Sequence, residues 1–395
     1  MSVSPRLRQQ MAEGGWIRKM FEEGIALKKK LGESNVFDLS LGNPVMEPPD
    51  EFRQELRRWV NQPGPGMHRY MPNAGYPETR EAVATYLLSQ TGLQFTRDEI
   101  VMTCGAAGGI NVVLKTIIEA GDEVVIFAPY FVEYIYYIEN AQALPRIVPT
   151  DSQFIPDLKI LEENITPRTK AVLVNSPNNP TGAVYGHDIL SGIGGLLGRK
   201  EAEYGREIFL ISDEVYRRLV YDGVECPYVF QYHPGTIVTT SFSKDLALPG
   251  ERIGYIALNP EYDGRGELIN GLVFCNRVLG FVNAPALMQN VVKRLQHASV
   301  DIDTYRGKRD LLYSSLVEMG YSTVKPTGAF YIFPRSPIAD DVAFVRELQE
   351  HNVLVVPGRG FGAPGYFRIS YCVEDPVIEG SLLGFGAAAR KFGIC

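Results

Sequence analysis

The middle of the chain repeats one local pattern: a short apolar run, a turn, then a helical stretch. The runs are Glu99–Thr103, Glu123–Phe127, Pro145–Pro149, Ala171–Asn175, Ile208–Ser212, Ile237–Ser241 and Ile253–Ala257. Most are near-continuous hydrophobic segments, as strands buried on both faces require; strict alternation would instead mark a half-exposed sheet. Helical stretches such as Gly108–Ala120 and Asp188–Tyr204 alternate with them, and Gly121 fits a cap behind the first. The pattern predicts an α/β fold, with a mostly parallel seven-stranded sheet covered by helices on both faces.

The ends of the chain differ from its middle. A helix is expected over about Gly15–Leu31, and Pro285–Met319 reads as one long helical region. Two apolar strands follow, Gly328–Phe333 and Tyr366–Tyr371, with a helix at Asp341–Glu350 between them. At 395 residues the chain exceeds what one core usually serves. The expected division is a large domain over residues 46–284 and a smaller α/β domain assembled from 1–45 and 285–395.

Charge narrows the function. With 39 Lys and Arg against 46 Asp and Glu, the net charge of −7 argues against a general nucleic-acid binder. Five cysteines (Cys104, Cys226, Cys275, Cys372, Cys395) form no CxxC pair, and no metal cluster is read from them. Such an unpatterned set suggests reduced thiols and a cytoplasmic protein. No stretch is apolar and long enough to span a bilayer, and Met1–Phe21 lacks the apolar core of a secretory signal. Arg6, Arg8, Arg18 and Lys19 stand among Glu13, Glu22 and Glu23, which reads as an amphipathic helix rather than an organellar presequence.

In parallel α/β sheets, ligands bind beyond the carboxyl ends of the strands. There the chain places Gly105-Ala106-Ala107-Gly108, Pro129-Tyr130, Asn175 to Gly182, Asp213-Glu214-Val215-Tyr216 and Ser241-Phe242-Ser243-Lys244. Each has a bland reading: small residues before a helix make a tight turn, Asn-Pro-Thr-Gly is turn chemistry, an Asp caps, a Lys is solvated. Joint placement at one sheet edge shifts the balance. A helix start with free N–H groups is also an anion site.

Lys244 followed by Pro249-Gly250-Glu251-Arg252-Ile253-Gly254-Tyr255 resembles the class I/II aminotransferases, the aspartate-aminotransferase-like branch of fold-type I enzymes that use pyridoxal 5′-phosphate. The resemblance runs from Leu41-Gly42-Asn43-Pro44 to Phe367-Arg368-Ile369-Ser370, and the 31 residues by which Asp213 precedes Lys244 are similar to the family's separation. It implies a ping-pong aminotransferase in which Lys244 forms the internal aldimine and then acts as general base. By the same resemblance Asp213 partners the ring nitrogen, Tyr216 and Asn179 donate to the phenolic oxygen, and Tyr130 stacks on the ring. The Ala106 and Ala107 backbone, Ser241, Ser243 and Arg252 would hold the phosphate. Tyr70 would reach the phosphate of a neighbouring subunit, which implies a homodimer. Arg368 would clamp the substrate α-carboxylate, assisted by Gly42 and Asn179, and Asn179–Pro180 is a candidate cis bond.

For the donor, the expectation is aspartate or a broad range. Some aspartate-specific members carry a lysine near the position of Ala107, which this chain lacks; Arg18 is an alternative contact for a distal carboxylate. Trp16, Tyr70, Tyr130, Phe330 and Tyr331 would equally suit an aromatic or apolar side chain. Two rivals remain: a β-elimination or C–S lyase on the same scaffold, and a non-enzymatic regulator. The regulator would need a DNA-binding domain ahead of Leu41, where only about forty residues stand.

Overall fold

The computed structural model describes residues 2–13 and 15–395; the side chains of residues 12, 13, 17–19 and 21 lie outside the description. Its strands are β1 (Phe37–Asp38), β2 (Ile100–Thr103), β3 (Glu123–Ala128), β4 (Leu144–Pro149), β5 (Thr169–Asn175) and β6 (Phe209–Asp213). There follow β7 (Thr236–Ser241), β8 (Gly254–Leu258), β9 (Tyr331–Ile332), β10 (Val353–Leu354), β11 (Val356–Pro357) and β12 (Phe367–Ser370).

Seven of these make one sheet in the order β2-β8-β7-β6-β5-β3-β4. Pairing is parallel except at β8, which runs antiparallel to both β2 and β7. Each central strand is buried at every position or at all but one: Val172, Leu210 and Ile256 are fully covered. Burying one such side chain contributes about 1.5–3 kcal/mol, and helices on both faces let residues of either parity do so. Val125, Val172 and Val174 join one apolar cluster and Ile126, Ala171 and Leu173 another, as the alternation of a doubly covered strand demands.

The remaining strands come from both ends of the chain. β1 pairs with β10, and β11-β12-β9 form a three-stranded antiparallel sheet. Leu39 of the N-terminal part and Phe330 and Phe367 of the C-terminal part share the larger apolar cluster with the central sheet.

Several local expectations shift. Residues 285–319 are not one helix: Ala286–Val292 and Ile302–Glu318 are separate. Asp301 caps the second by accepting from the Asp303 N–H, a start signal inside the presumed helix. Ala284, Met288, Val291, Val292 and Leu295 pack with Phe52, Val83 and Tyr255 beside the large sheet, beyond the expected 284/285 boundary. The helix expected over Gly108–Ala120 spans Gly105–Ile117, so the small residues read as a turn are its first turn. Gly121 accordingly caps nothing; its N–H donates to Gln142 O in the turn before β3. Only Tyr331–Ile332 of the expected strand 328–333 is extended, because Ala329 takes a left-handed φ of 55°.

Candidate active site

The carboxyl ends of β5, β6 and β7 and the first turn of helix Gly105–Ile117 open onto one cavity of about 310 Å³. β8 contributes through its direction. Running antiparallel, it sets Gly254 opposite both Ser241 and Thr103, so the Arg252 that precedes it arrives at the same edge. Gly105, at φ 75°, passes close beneath: a Cβ there would lie 3.0 Å from Arg252 Nη2. With Ala106, Ala107, Ser241 and Ser243 also in the wall, this corner gathers a helix N-terminus, two hydroxyls and an exposed guanidinium. Among the described residues Arg252 has no carboxylate partner; its Nη1 donates to Pro249 O at 3.0 Å.

Asp213 lies at the end of β6, six per cent exposed. Its Oδ2 accepts from Tyr134 Oη at 2.6 Å, while the buried Oδ1 has no partner. Burial raises its pKa to about 6. Lys244 follows β7, and its Nζ donates to Gly42 O at 2.8 Å. Desolvation lowers its pKa to about 8, which leaves the amine partly neutral near physiological pH. A side chain at residue 42 would have no room: a Cβ there would fall 1.9 Å from Tyr331 Oη.

Arg368 stands on β12 and is two per cent exposed. Its Nη2 donates to Ser40 O at 2.6 Å and its Nη1 to Asn179 Oδ1 at 3.1 Å, while Nε is buried without a partner. Tyr331 and Phe361 flank the guanidinium, their ring centres 4.7 and 4.8 Å away. Asn179 is fixed in turn by Asn175, whose Oδ1 accepts the Asn179 N–H at 2.8 Å and whose Nδ2 donates to Asp213 O at 3.0 Å. The loop closes through Asn178 Oδ1, which accepts from the Thr181 N–H and hydroxyl. Asn179–Pro180 is cis, as are Ala128–Pro129 and Ser176–Pro177. Tyr216 is buried, and its hydroxyl meets that of Tyr331 at 2.8 Å.

Thus the fold brings eleven of the thirteen predicted site residues to one cavity: Gly42, Ala106, Ala107, Asn179, Asp213, Tyr216, Ser241, Ser243, Lys244, Arg252 and Arg368. Tyr130 is not among them. Its N–H donates to Phe361 O and its ring packs under Gly362, the core reading of that aromatic run; Phe131, one residue on, lines the wall instead. Tyr70 is 92% exposed, away from the cavity. Of the candidate substrate aromatics, Tyr331 lines the cavity and Trp16 and Phe330 do not. The Arg18 side chain lies outside the described residues. Glu133, Tyr134, Tyr137 and Asn175 were missed. The signal for the first three was the run Glu133–Tyr137 directly behind the Pro129 turn, legible once that segment is known to be a helix facing the cavity; Asn175 already stood in the strand-end group, without a role.

Could these residues hold pyridoxal phosphate? The unpartnered Asp213 Oδ1 suits a protonated ring nitrogen, the Lys244 amine suits an aldehyde, and the Arg252 corner suits a phosphate. The group fits. Among the described residues no cluster of His, Cys, Asp and Glu could hold a metal, and no helix is long and apolar enough to cross a membrane. Fold and cavity together define an α/β protein in which one cavity joins a half-buried lysine, a buried carboxylate and a buried arginine.

Comparison with known proteins agrees. The family model for aminotransferase class I and II matches residues 34–380. A probable aspartate aminotransferase of Methanocaldococcus jannaschii is 33% identical over 89% of this chain and 93% of its own. An aspartate/prephenate aminotransferase of Thermus thermophilus is 34% identical over 90% of both. Among solved structures, an aminotransferase from Eubacterium rectale superposes with a TM-score of 0.95 at 39% identity, covering 99% of each chain. The chain belongs to the class I and II aminotransferase family and is an aminotransferase; that family is generally pyridoxal-phosphate-dependent and typically dimeric.

Proposed function

We propose that this aminotransferase uses pyridoxal 5′-phosphate on Lys244 to move the amino group of an L-α-amino acid to a 2-oxo acid in two half-reactions. One observation carries the reading. The Lys244 amine, the Asp213 carboxylate and the Arg368 guanidinium share a cavity, and none forms an ion pair within 4.0 Å among the described residues. Desolvated charges without partners are costly and are satisfied by a ligand that brings the complementary atoms.

Bound there, the cofactor supplies a carbonyl carbon for the donor amine and a ring that withdraws electrons from the donor Cα. Arg368 takes the α-carboxylate through the donors it does not spend on Ser40 and Asn179. Asp213 holds a proton at the ring nitrogen, its second oxygen steadied by Tyr134. With a donor bound, Lys244 Nζ would be the group to move the Cα proton, and its lowered pKa suits that role near neutral pH. Tyr216 and Asn179 would serve the phenolic oxygen; Ala106, Ala107, Ser241, Ser243 and Arg252 would hold the phosphate. Phe131, which lines the cavity, would take the place of Tyr130 as the aromatic against the ring.

We further propose a homodimer in which Tyr70 serves the neighbouring site, in keeping with its full exposure on a single chain. A cytoplasmic place rests on the free, unpaired cysteines. The names of the relatives favour aspartate or a broad donor range. The test is a half-reaction: an amino donor should convert the Lys244-bound cofactor to its amino form, and a 2-oxo acid should reverse the change. Steady release of pyruvate and ammonia without that cycle would overturn the proposal. So would a Lys244→Ala variant that keeps the lysine-bound absorbance.

A further inference from the structure

Two carboxylates line the cavity, Asp213 and Glu133, and the second has no task in the scheme above. Glu133 opens the first turn of helix Glu133–Asn140, where its own backbone N–H favours the charged form. Its Oε2 is buried and has no hydrogen-bond partner among the described residues, and no Lys, Arg or His lies within 4.0 Å of it there. Burial raises its pKa, with the Arg368 charge opposing. The fields of Glu133 and Arg368 meet, and that of Glu133 also reaches Tyr331, which flanks the Arg368 guanidinium, and Tyr137, which feels Asp213 and Arg252 as well. Glu133 thus lines the cavity within electrostatic reach of Arg368.

A desolvated acceptor without a partner discriminates sharply. A ligand that brings a cation satisfies it through a charge-assisted hydrogen bond, and one that brings a second anion meets like-charge repulsion. We propose that Glu133 is a specificity-determining residue that receives the cationic side chain of a diamino-acid donor and turns the site against donors with acidic side chains. The proposal rests on the aminotransferase reading and narrows it: within a broad donor range, diamino acids rank above their neutral isosteres, and aspartate ranks low. That departs from the names of the relatives, and the carboxylate at residue 133 is the reason.

The test compares isosteric donors on the holoenzyme in single-turnover half-reactions, followed through the cofactor spectrum. Ornithine is set against norleucine, and 2,4-diaminobutyrate against norvaline. In Glu133→Gln the cationic-to-neutral ratio of rate over affinity should fall about 10- to 150-fold, the effect of losing one charge-assisted hydrogen bond. Aspartate should improve. Glu133→Asp retains the charge one methylene further back, so its preference should move from 2,4-diaminobutyrate toward ornithine. Ratios unchanged within threefold in both variants would overturn the proposal.

Calorimetric binding of 5-aminopentanoate against hexanoate, which needs no amino transfer, gives the same ratio independently. A fall in Glu133→Gln supports the cation site and an unchanged ratio refutes it. If the binding ratio shifts while no donor, alanine included, alters the cofactor spectrum, the aminotransferase reading fails and the cation site stands. If alanine reacts and both ratios stay flat, only the cation site fails.

Discussion

Arg368 offers the sharpest test of how the site holds its substrate. The structure spends two of its five N–H donors, on Ser40 O and Asn179 Oδ1, and leaves Nε buried and unpaired. A substrate carboxylate can therefore take two further charge-assisted hydrogen bonds, each contributing about 1.5–3 kcal/mol. Arg368→Lys keeps the charge but loses the fork, so about one such bond disappears and kcat/KM for alanine should fall about 10- to 150-fold. Arg368→Ala loses both, about 3–6 kcal/mol, and should cost about 10² to 10⁴. The assay is the half-reaction with alanine, run beside ethylamine, which offers the same amine without the carboxylate. Ethylamine should react slowly and equally in all three proteins. Were the variants to slow ethylamine as much as alanine, Arg368 would be supporting the architecture, and the carboxylate assignment would be refuted.

Three further outcomes are expected. Asp213 has a folded pKa of about 6 against an ordinary 3.8, so between those values the native state keeps a proton that the unfolded chain releases. Stability of the cofactor-free protein should then fall as pH rises through that window, and Asp213→Asn should gain on wild type by up to about 3 kcal/mol above pH 6; a flat difference in urea midpoints from pH 4 to 6 would contradict this. Gly42→Ala drives a methyl group into Tyr331 Oη and should lower stability by about 1–3 kcal/mol, with only part of it recovered when Tyr331→Phe removes that hydroxyl, since the ring Cζ would still lie 2.8 Å from the methyl; thermal melts of the single and double variants decide. Tyr70→Phe should leave unfolding unchanged within about 0.5 kcal/mol, since the side chain is exposed, yet weaken cofactor retention in the dimer; unaltered retention on dialysis would remove Tyr70 from the shared site.

Much of the site was legible in the chain because parallel sheets collect strand ends at one edge. Residues directly behind β5, β6 and β7, from Asn179 through Asp213 to Lys244, fall within a few positions of a buried strand, and the cavity takes them in. Tyr130 missed by one residue. Backbone pairing with Phe361 commits it to the core, and the following Phe131 turns to the wall. A propensity reading cannot choose between adjacent aromatics when both suit a strand end. Glu133 was invisible for a different reason: an acid in the first turn of a helix is ordinary dipole chemistry until its oxygen proves buried and unpaired.

Alone, the sequence determined that the chain folds around a helix-covered, mostly parallel sheet, because near-continuous apolar runs alternating with helical stretches suit strands buried on both faces. It also determined which polar groups stand at the strand ends, since those positions follow directly from where the runs stop. Tertiary structure decided the rest. The antiparallel course of β8 delivers Arg252 to the edge where Lys244 and Asp213 already stand, although local sequence carries no mark of strand direction. Packing likewise split residues 285–319 at an internal cap and set Arg368, from the far end of the chain, against Asn179 and Ser40. Local pattern fixes which atoms a segment can offer. Only the pairing of distant segments decides which of them meet, and which, like Nε of Arg368 and Oε2 of Glu133, are left without a partner.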